Sequence, residues 1–145
     1  MTTIVVGIDD SPGAAAALRW AVDEARLREA TLRVVHAWDW PYEGHLGTLA
    51  DEILERKTFA EAAAKVLATM VQEVLGDQSA DIALEEHVAE GSAAHVLLEA
   101  AAEADLLVVG SRGRGGFQGL LLGSVSQQCA HHARSPVVIV RAERA

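Results

Sequence analysis

The sequence has few of the residues that form disulfides, membrane spans or targeting signals. Its single cysteine, Cys129, excludes an internal disulfide framework and suits a reducing compartment. No apolar run approaches the roughly 18 residues that a membrane span needs. The N-terminus, MTTIVVGIDD, has no basic segment ahead of an apolar one, so we predict no signal peptide. The expected location is cytoplasmic.

Basic residues are also scarce, and they are unevenly distributed. The 145 residues include 12 Lys and Arg against 21 Asp and Glu, a formal net charge of -9. This balance argues against non-specific binding to nucleic acid or to an acidic membrane. Residues 1–105 hold 7 basic and 20 acidic residues, a net of -13, whereas residues 106–145 hold 5 arginines and one acid, a net of +4. The C-terminal sector therefore either steers an anion or reflects ordinary charge scatter.

Apolar patterning alternates between strands and helices along the whole chain. Short apolar runs predict five strands, at residues 4–9, 32–38, 82–89, 106–109 and 137–140. Helical spacing predicts four helices, which begin near Ser11, residue 50, Gly91 and Ser124. This alternation is typical of a doubly wound α/β fold with a mostly parallel sheet, and the polar third run suggests a sheet edge. No linker or repeat divides the chain, so residues 1–145 are predicted to form a single domain.

A glycine-rich segment, GSRGRGGFQGLLLGSV at residues 110–125, is the strongest functional signal. It follows the apolar run DLLVV and leads into a helix. Glycines let the backbone approach a phosphate, and the free N–H groups of a first helical turn point at it. The helix dipole adds roughly half a positive charge at that end. The segment is therefore predicted to bind an anion, with Arg112 and Arg114 either contacting phosphate or remaining solvated.

The first strand ends in a pair of acids, Asp9 and Asp10. If the first and fourth strands are neighbours, their carboxyl ends meet in one crevice, where doubly wound sheets bind ligands. A carboxylate beside a phosphate loop can hydrogen-bond a ribose hydroxyl or help to hold a metal ion. The sequence thus places an acidic group next to the glycine segment.

The spacing of the glycines matches a known family pattern. Gly110, Gly113, Gly123 and Ser124 fit glycine, two residues, glycine, nine residues, glycine and then Ser or Thr. On this motif, on the start VVGIDDSPGAAAALRWAVDEA and on the end LLLGSVSQQCAHHARSPVVIVR, the chain resembles the nucleotide-binding branch of the universal stress protein family. The resemblance runs from end to end and is weakest over residues 42–81.

The resemblance implies a Rossmann-like sheet of five strands in the order 3-2-1-4-5 with four helices. It also implies ATP as ligand, with Mg or Mn. Asp9 would bind the ribose, Gly7 would lie beneath the nucleotide, and backbone groups at Ala37 would face the adenine edge. The first part of the glycine segment would surround the inner phosphates; its residues are Gly110, Ser111, Arg112, Gly113, Arg114, Gly115 and Gly116. Gly123, Ser124 and Val125 would face the outer phosphates. Asp10 stands where the family often has glycine, and it could assist the metal or repel phosphate.

The function that the resemblance implies is regulatory. ATP would bias a conformation or an assembly read by an unidentified partner protein, with slow hydrolysis at most. The family commonly forms homodimers, and a fifth strand at the sheet edge, Val137–Val140, would suit an isologous dimer. The apolar stretch from Phe117 to Leu122 would pack on the domain or on a partner subunit.

Enzymatic and phospho-signalling alternatives stay open at this point. A P-loop ATPase needs a lysine where Ser124 stands, so that class is excluded. A nucleotide-hydrolysing or nucleotidyl-transferring α/β enzyme is an alternative, although no positioned base or nucleophile is visible. A receiver-like domain is another, but it needs an Asp after the third strand and a Lys after the fifth.

Several conspicuous side chains have ordinary structural interpretations. Cys129 shares an apolar stripe with Val125, which predicts a buried small hydrophobe. The pair His131 and His132 has no third metal ligand at useful spacing and is expected at a helix C-terminus. Trp38 and Trp40 are expected to pack under a loop rather than against a base.

Overall fold

The computed structural model describes residues 2–9, 11–39, 47–111 and 122–142. In chain order the elements are β1 (Thr3–Ile8), α1 (Pro12–Arg28), β2 (Thr31–Trp38), α2 (Leu49–Leu75), β3 (Ala83–Glu90), α3 (Ala93–Ala100), β4 (Leu106–Gly110), α4 (Ser124–His132) and β5 (Val137–Val140). A short 3-10 helix over Gly76–Asp81 connects α2 to β3. Each predicted strand and helix is confirmed, with ends that differ by a residue or two at most.

The five strands form one parallel sheet in the order β3-β2-β1-β4-β5. This confirms the predicted Rossmann-like, doubly wound α/β fold. The chain crosses from one half of the sheet to the other between β3 and β4, so β1 and β4 are neighbours in the register Ile4↔Leu106. Their carboxyl ends define the point where strand order reverses, which is where such sheets bind ligands.

Alternating side chains of the strands supply two apolar layers, one on each face of the sheet. Ile4, Val6 and Ile8 of β1 pack with α1 and the buried face of α2, whereas Val5 faces the layer formed with α3 and α4. Because both faces of β1 are covered, its sequence is apolar throughout rather than alternating.

The helix ends follow their sequence signals. Ser11 begins α1 by accepting a hydrogen bond from the Ala14 N–H, and Thr48 begins α2 through a reciprocal capping box with Asp51. Gly76 ends α2 with a φ of 53°, a left-handed value that favours glycine. No helix in the described ranges is long and apolar enough for a membrane crossing.

Candidate functional site

A cleft opens at the carboxyl edge of the sheet, between the ends of β1, β2 and β4. It contains about 570 Å³ of empty space, including the part open to solvent. Five residues predicted for the site lie on its walls: Gly7, Asp9, Ala37, Gly110 and Val125. The other lining residues are Ile8, Ser11, Ala14, Val35, His36, Ala93, Leu97, Val109 and Ser126. The topology thus gathers residues from both ends of the chain around one concave, mostly apolar surface.

Asp9 lies at the rim of the cleft, in the turn between β1 and α1. Its Oδ1 accepts a hydrogen bond from the Ser11 N–H at 2.8 Å, and the Ser11 Oγ accepts one from the Ala14 N–H at 3.3 Å. These two bonds fix the turn and the first residues of α1 together. The carboxylate is therefore held at the rim by the backbone of the helix that follows it.

Gly7 owes its identity to a protein side chain. A Cβ atom at this position would lie 2.5 Å from the Leu97 Cδ1 atom, well inside van der Waals contact. Leu97 belongs to α3, is 5% exposed and also lines the cleft. Leu97, which packs on Gly7, therefore forms part of an apolar surface of the cleft. The sequence pattern did not reveal the contact between these two residues.

Gly110 permits a close approach between β4 and α1. A Cβ atom there would lie 3.0 Å from the backbone oxygen of Gly13. The absence of a side chain lets the end of β4 sit against the first turn of α1. The two elements that flank the cleft are consequently close together at its base.

The two ends of the glycine segment meet at one point. The Ser111 N–H donates to the Val140 carbonyl oxygen at 2.8 Å, and the Ser111 carbonyl accepts from the Gly123 N–H at 2.6 Å. Residues 112–121 lie outside the described residues, and with them the predictions for Arg112, Gly113, Arg114, Gly115 and Gly116. The predictions for Asp10, Trp40 and residues 117–121 of the apolar stretch also fall outside the described ranges.

The N-terminus of α4 has no side-chain cap from the residues that the structure describes. Its N-cap residue is Gly123, and no side chain in the described part of the chain accepts a hydrogen bond from the first-turn N–H groups as a cap. The first-turn N–H groups of a helix have no partner within the helix, so an uncapped end is suited to an anion. The Ser124 Oγ accepts a hydrogen bond from Gln128 Nε2 at 3.1 Å, which leaves its hydroxyl hydrogen available to donate.

His36 is a cleft residue that sequence reasoning did not single out. Its Nδ1 lies 2.9 Å from the Ile8 carbonyl oxygen. Because a carbonyl only accepts, Nδ1 carries the hydrogen, and Nε2 is the acceptor nitrogen of the neutral ring. The contact ties the end of β2 to the residue just before Asp9. A histidine at the end of the second strand was the only sequence signal for it.

Three further titratable residues, Cys129, His131 and His132, lie where the sequence predicts. Cys129 is fully buried, and burial raises the pKa of its thiol, in agreement with a small buried hydrophobe. His131 and His132 occupy the last turn of α4, as expected. Within the described ranges, no three His, Cys, Asp or Glu residues are grouped so that they could hold a metal ion.

Comparison with known proteins agrees with this architecture. The sequence model of the universal stress protein family matches residues 1–141. A universal stress protein of Mycolicibacterium smegmatis is 34% identical over 146 residues, which cover 97% of this chain and 48% of the relative. The chain thus spans about half the length of the curated relatives it matches.

Solved structures of similar proteins share the fold. The UspA protein of Lactobacillus plantarum superposes with a TM-score of 0.77 at 27% identity, covering 97% of both chains. A universal stress protein in complex with cAMP has a TM-score of 0.66 at 28% identity and covers 98% of both chains. An Archaeoglobus fulgidus universal stress protein in complex with dAMP has a TM-score of 0.57 at 26% identity, covering 97% of this chain and 98% of that one. On its sequence match and its sheet order, this chain belongs to the universal stress protein family.

Proposed function

We propose that this chain is an adenine nucleotide-binding stress protein that binds ATP in the cleft at the ends of β1 and β4. The bound nucleotide would bias a conformation or an assembly, and ATP would be hydrolysed slowly at most. Residues 1–145 would act as one nucleotide-binding domain. The single observation that carries the proposal is the cleft itself, which combines Asp9, an apolar wall and the N-terminus of α4, where no side chain of the described ranges acts as a cap.

The cleft supplies a chemically matched surface for each part of a nucleotide. Ala37, Val35 and Leu97 offer an apolar wall for a planar base. Asp9 offers a carboxylate for ribose hydroxyls, as in other doubly wound sheets. The first turn of α4, with Ser124 and Val125, offers backbone N–H groups for phosphate oxygens. The order base, ribose, phosphate follows the order of the strands β2, β1 and β4 across the sheet.

Family relatives support adenine nucleotides as the ligand class. Two solved universal stress proteins at 28% and 26% identity are described as complexes with cAMP and dAMP. Both cover nearly all of this chain. These likenesses support the ligand class, and the preference for ATP rests on the resemblance in the glycine motif.

A divalent metal, Mg or Mn, would be bound chiefly through the nucleotide. Mg²⁺ in nucleotide sites is commonly held by phosphate oxygens, water and one or two carboxylates. Asp9 is the carboxylate that lines the cleft in the described ranges. The metal would neutralise phosphate charge in a protein whose formal net charge is -9.

Assembly and location belong to the same proposal. The chain would form a homodimer through the edge strand β5 and act in the cytoplasm on a downstream protein. Its acidic net charge supports neither nucleic acid nor an acidic membrane as a partner.

Calorimetric titration with ATP, ADP and AMP tests the ligand. Gly123→Val is the informative variant, because its backbone, with φ -78° and ψ 174°, is one that valine adopts without strain. The added side chain should obstruct phosphates at the start of α4 and weaken ATP binding by at least about tenfold. Ala102→Val, at an exposed position after α3, is the matched control and should bind as the parent does. Equal ATP affinity in Gly123→Val would contradict this placement of the site.

Turnover separates a regulatory protein from an enzyme. We expect ATP consumption below about 1 per second, the low end for ordinary enzymes. Sustained multiple turnover above that rate would favour the enzymatic alternative. Nucleotide retained through purification would favour the binding protein.

A further inference from the structure

The point where the two ends of the glycine segment meet is held by a buried serine. Ser126 stands at the third position of α4 and is 2% exposed. Its Oγ lies 2.9 Å from the carbonyl oxygen of Ser111 and 3.0 Å from that of Gly123. We call Ser111, Gly123 and Ser126 the loop-end junction.

The Ser111 carbonyl is the centre of this junction. It accepts from the Gly123 N–H at 2.6 Å and from the Ser126 hydroxyl, so two donors from the start of α4 converge on one oxygen. The Ser111 N–H in turn bonds to Val140 in β5. The start of α4 is thereby fixed to the sheet immediately beyond the end of β4.

The hydroxyl of Ser126 does not act as a serine hydroxyl usually does at the start of a helix. An N-cap serine accepts a hydrogen bond from the first turn, which uses one of the free N–H groups. Here the N-cap is glycine, and the one hydroxyl hydrogen of the serine at the third position is shared between the carbonyl oxygens of Ser111 and Gly123. This arrangement positions the helix while leaving its first-turn N–H groups without a side-chain cap in the described ranges.

From this geometry we infer that Ser126 is a positioning residue for phosphate binding. It acts through Ser111 and Gly123, because its hydroxyl fixes the first turn of α4 relative to the end of β4. The inference rests on the proposed function, since it assumes that the N–H groups at this helix end contact phosphates. A helix end that shifts by a fraction of an ångström presents those groups in poorer hydrogen-bond geometry.

The test compares two ligands that differ only in phosphates, ATP and adenosine, by calorimetric titration of the full chain. Ser126→Ala should weaken ATP binding by about tenfold and change adenosine binding by less than about twofold, because only phosphate contacts depend on the start of α4. Ser135→Ala is the matched control: the Ser135 Oγ is buried and has no hydrogen-bond partner within the described ranges. This control should bind both ligands as the parent does.

A second pair of variants isolates the hydroxyl if Ser126→Ala folds poorly. Ser126→Thr and Ser126→Val have nearly the same shape, but only threonine can donate a hydrogen bond. Threonine should bind ATP at least about tenfold more tightly than valine, with similar adenosine affinities. If the hydroxyl had a purely structural role, its loss in the valine variant would lower the ATP and adenosine affinities together and leave the ratio of the two affinities unchanged.

Failure of the inference can be told apart from failure of the proposed function. A parent protein that binds neither ligand would overturn both. A parent that binds ATP, with an unchanged ratio of ATP to adenosine affinity in Ser126→Ala and in the threonine and valine pair, would overturn only the role of Ser126.

Discussion

Two glycines of the cleft make room for other protein atoms. Gly7 accommodates the side chain of Leu97, and Gly110 accommodates the backbone of Gly13. Neither position requires a left-handed backbone, so the need for glycine is one of space. Both contacts shape the walls that a ligand would meet.

Gly7→Ala tests the contact with Leu97. The added Cβ overlaps a buried side chain, so we expect a loss of about 1–3 kcal/mol in the free energy of unfolding, measured by urea denaturation. Leu97→Ala leaves a cavity and should cost about 2–5 kcal/mol alone. In the double variant the new methyl group occupies part of that cavity, so the combined loss should be smaller than the sum. Losses that add within about 0.5 kcal/mol would show that the two residues do not interact.

Cys129 offers a second test at a single residue. Burial raises the pKa of its thiol, so the folded protein keeps the neutral, unreactive form. A thiol reagent should label the native protein far more slowly than the urea-unfolded protein. The thiol pKa is higher in the folded protein than in the unfolded one. Cys129 therefore stabilises the folded protein at pH values below the ordinary thiol pKa, and this contribution to the free energy of unfolding is lost as the pH rises through the folded pKa. Equal labelling rates would contradict the burial.

Among the elements, β3 is the most polar strand and lies at a sheet edge. Two ion pairs tie it to its neighbours. Arg33 of β2 bonds to Glu85 at 2.8 Å, and Arg56 of α2 pairs with Glu90. The second pair joins the exposed N-terminal half of α2 to the end of β3. Polar contacts thus supplement a packing surface that is only partly apolar on this strand.

Glu85→Gln should reveal the contribution of the pair between Arg33 and Glu85 through the pH dependence of the free energy of unfolding. The hydrogen bond from Arg33 holds the pKa of Glu85 below its usual range, although burial opposes the shift. The side chains are 30% and 43% exposed, so the variant should lose at most about 1 kcal/mol at pH 7. A carboxyl group whose pKa is lowered in the folded protein favours folding at pH values above its unfolded pKa. The difference in the free energy of unfolding between parent and variant should therefore shrink as the pH falls from about 6 to below 4.

Glu86→Gln is the control for this measurement, because it removes a carboxylate from the next residue of β3. Urea denaturation at several pH values gives the comparison. A difference between parent and Glu85→Gln that stays constant over the pH range would show that the ion pair contributes nothing measurable.

Elements were more predictable than contacts. The strands and helices follow from apolar periodicity, and α1 and α2 begin at residues that cap helices. Asp9 and Gly110 were predictable because strand order brings the ends of β1 and β4 together. Leu97, His36 and Ser126 were missed because each acts through a tertiary contact that no local pattern encodes. The roles of Gly7 and Gly110 in packing were missed for the same reason.

At the scale of the whole molecule, β5 is a partly buried strand at the sheet edge. The carbonyl oxygen of Pro136, just before β5, accepts a hydrogen bond from the Leu107 N–H of β4, and the carbonyl oxygen of Val140 accepts one from the Ser111 N–H just beyond β4. Parallel pairing alternates along a strand, so the backbone N–H groups of Val137 and Ile139 face outward. A row of outward N–H groups between apolar side chains supports the proposed homodimer.

Ile139→Pro tests that dimer with little effect on the sheet. Proline removes an outward N–H group and is tolerated at edge strands, so the folded subunit should persist while pairing is lost. Sedimentation at micromolar concentration should give a dimer for the parent and a monomer for the variant. Ile139→Val keeps the N–H group and should remain dimeric. A parent that sediments as a sharp monomer would contradict the dimer.

The parallel sheet also separates the cleft from the opposite end of the molecule. At that amino edge, Arg26 pairs with Asp81 at 3.0 Å and Asp105 accepts the Thr3 N–H at 2.8 Å. This amino edge lies roughly 20 Å from the cleft, because strands such as β1 are six residues long. Because the native thiol is buried, Glu103→Cys at the exposed amino edge would carry the only accessible sulfhydryl in the described ranges. A dye or a sensor surface attached there would leave the opposite end unobstructed, so binding could be followed by fluorescence or on a chip.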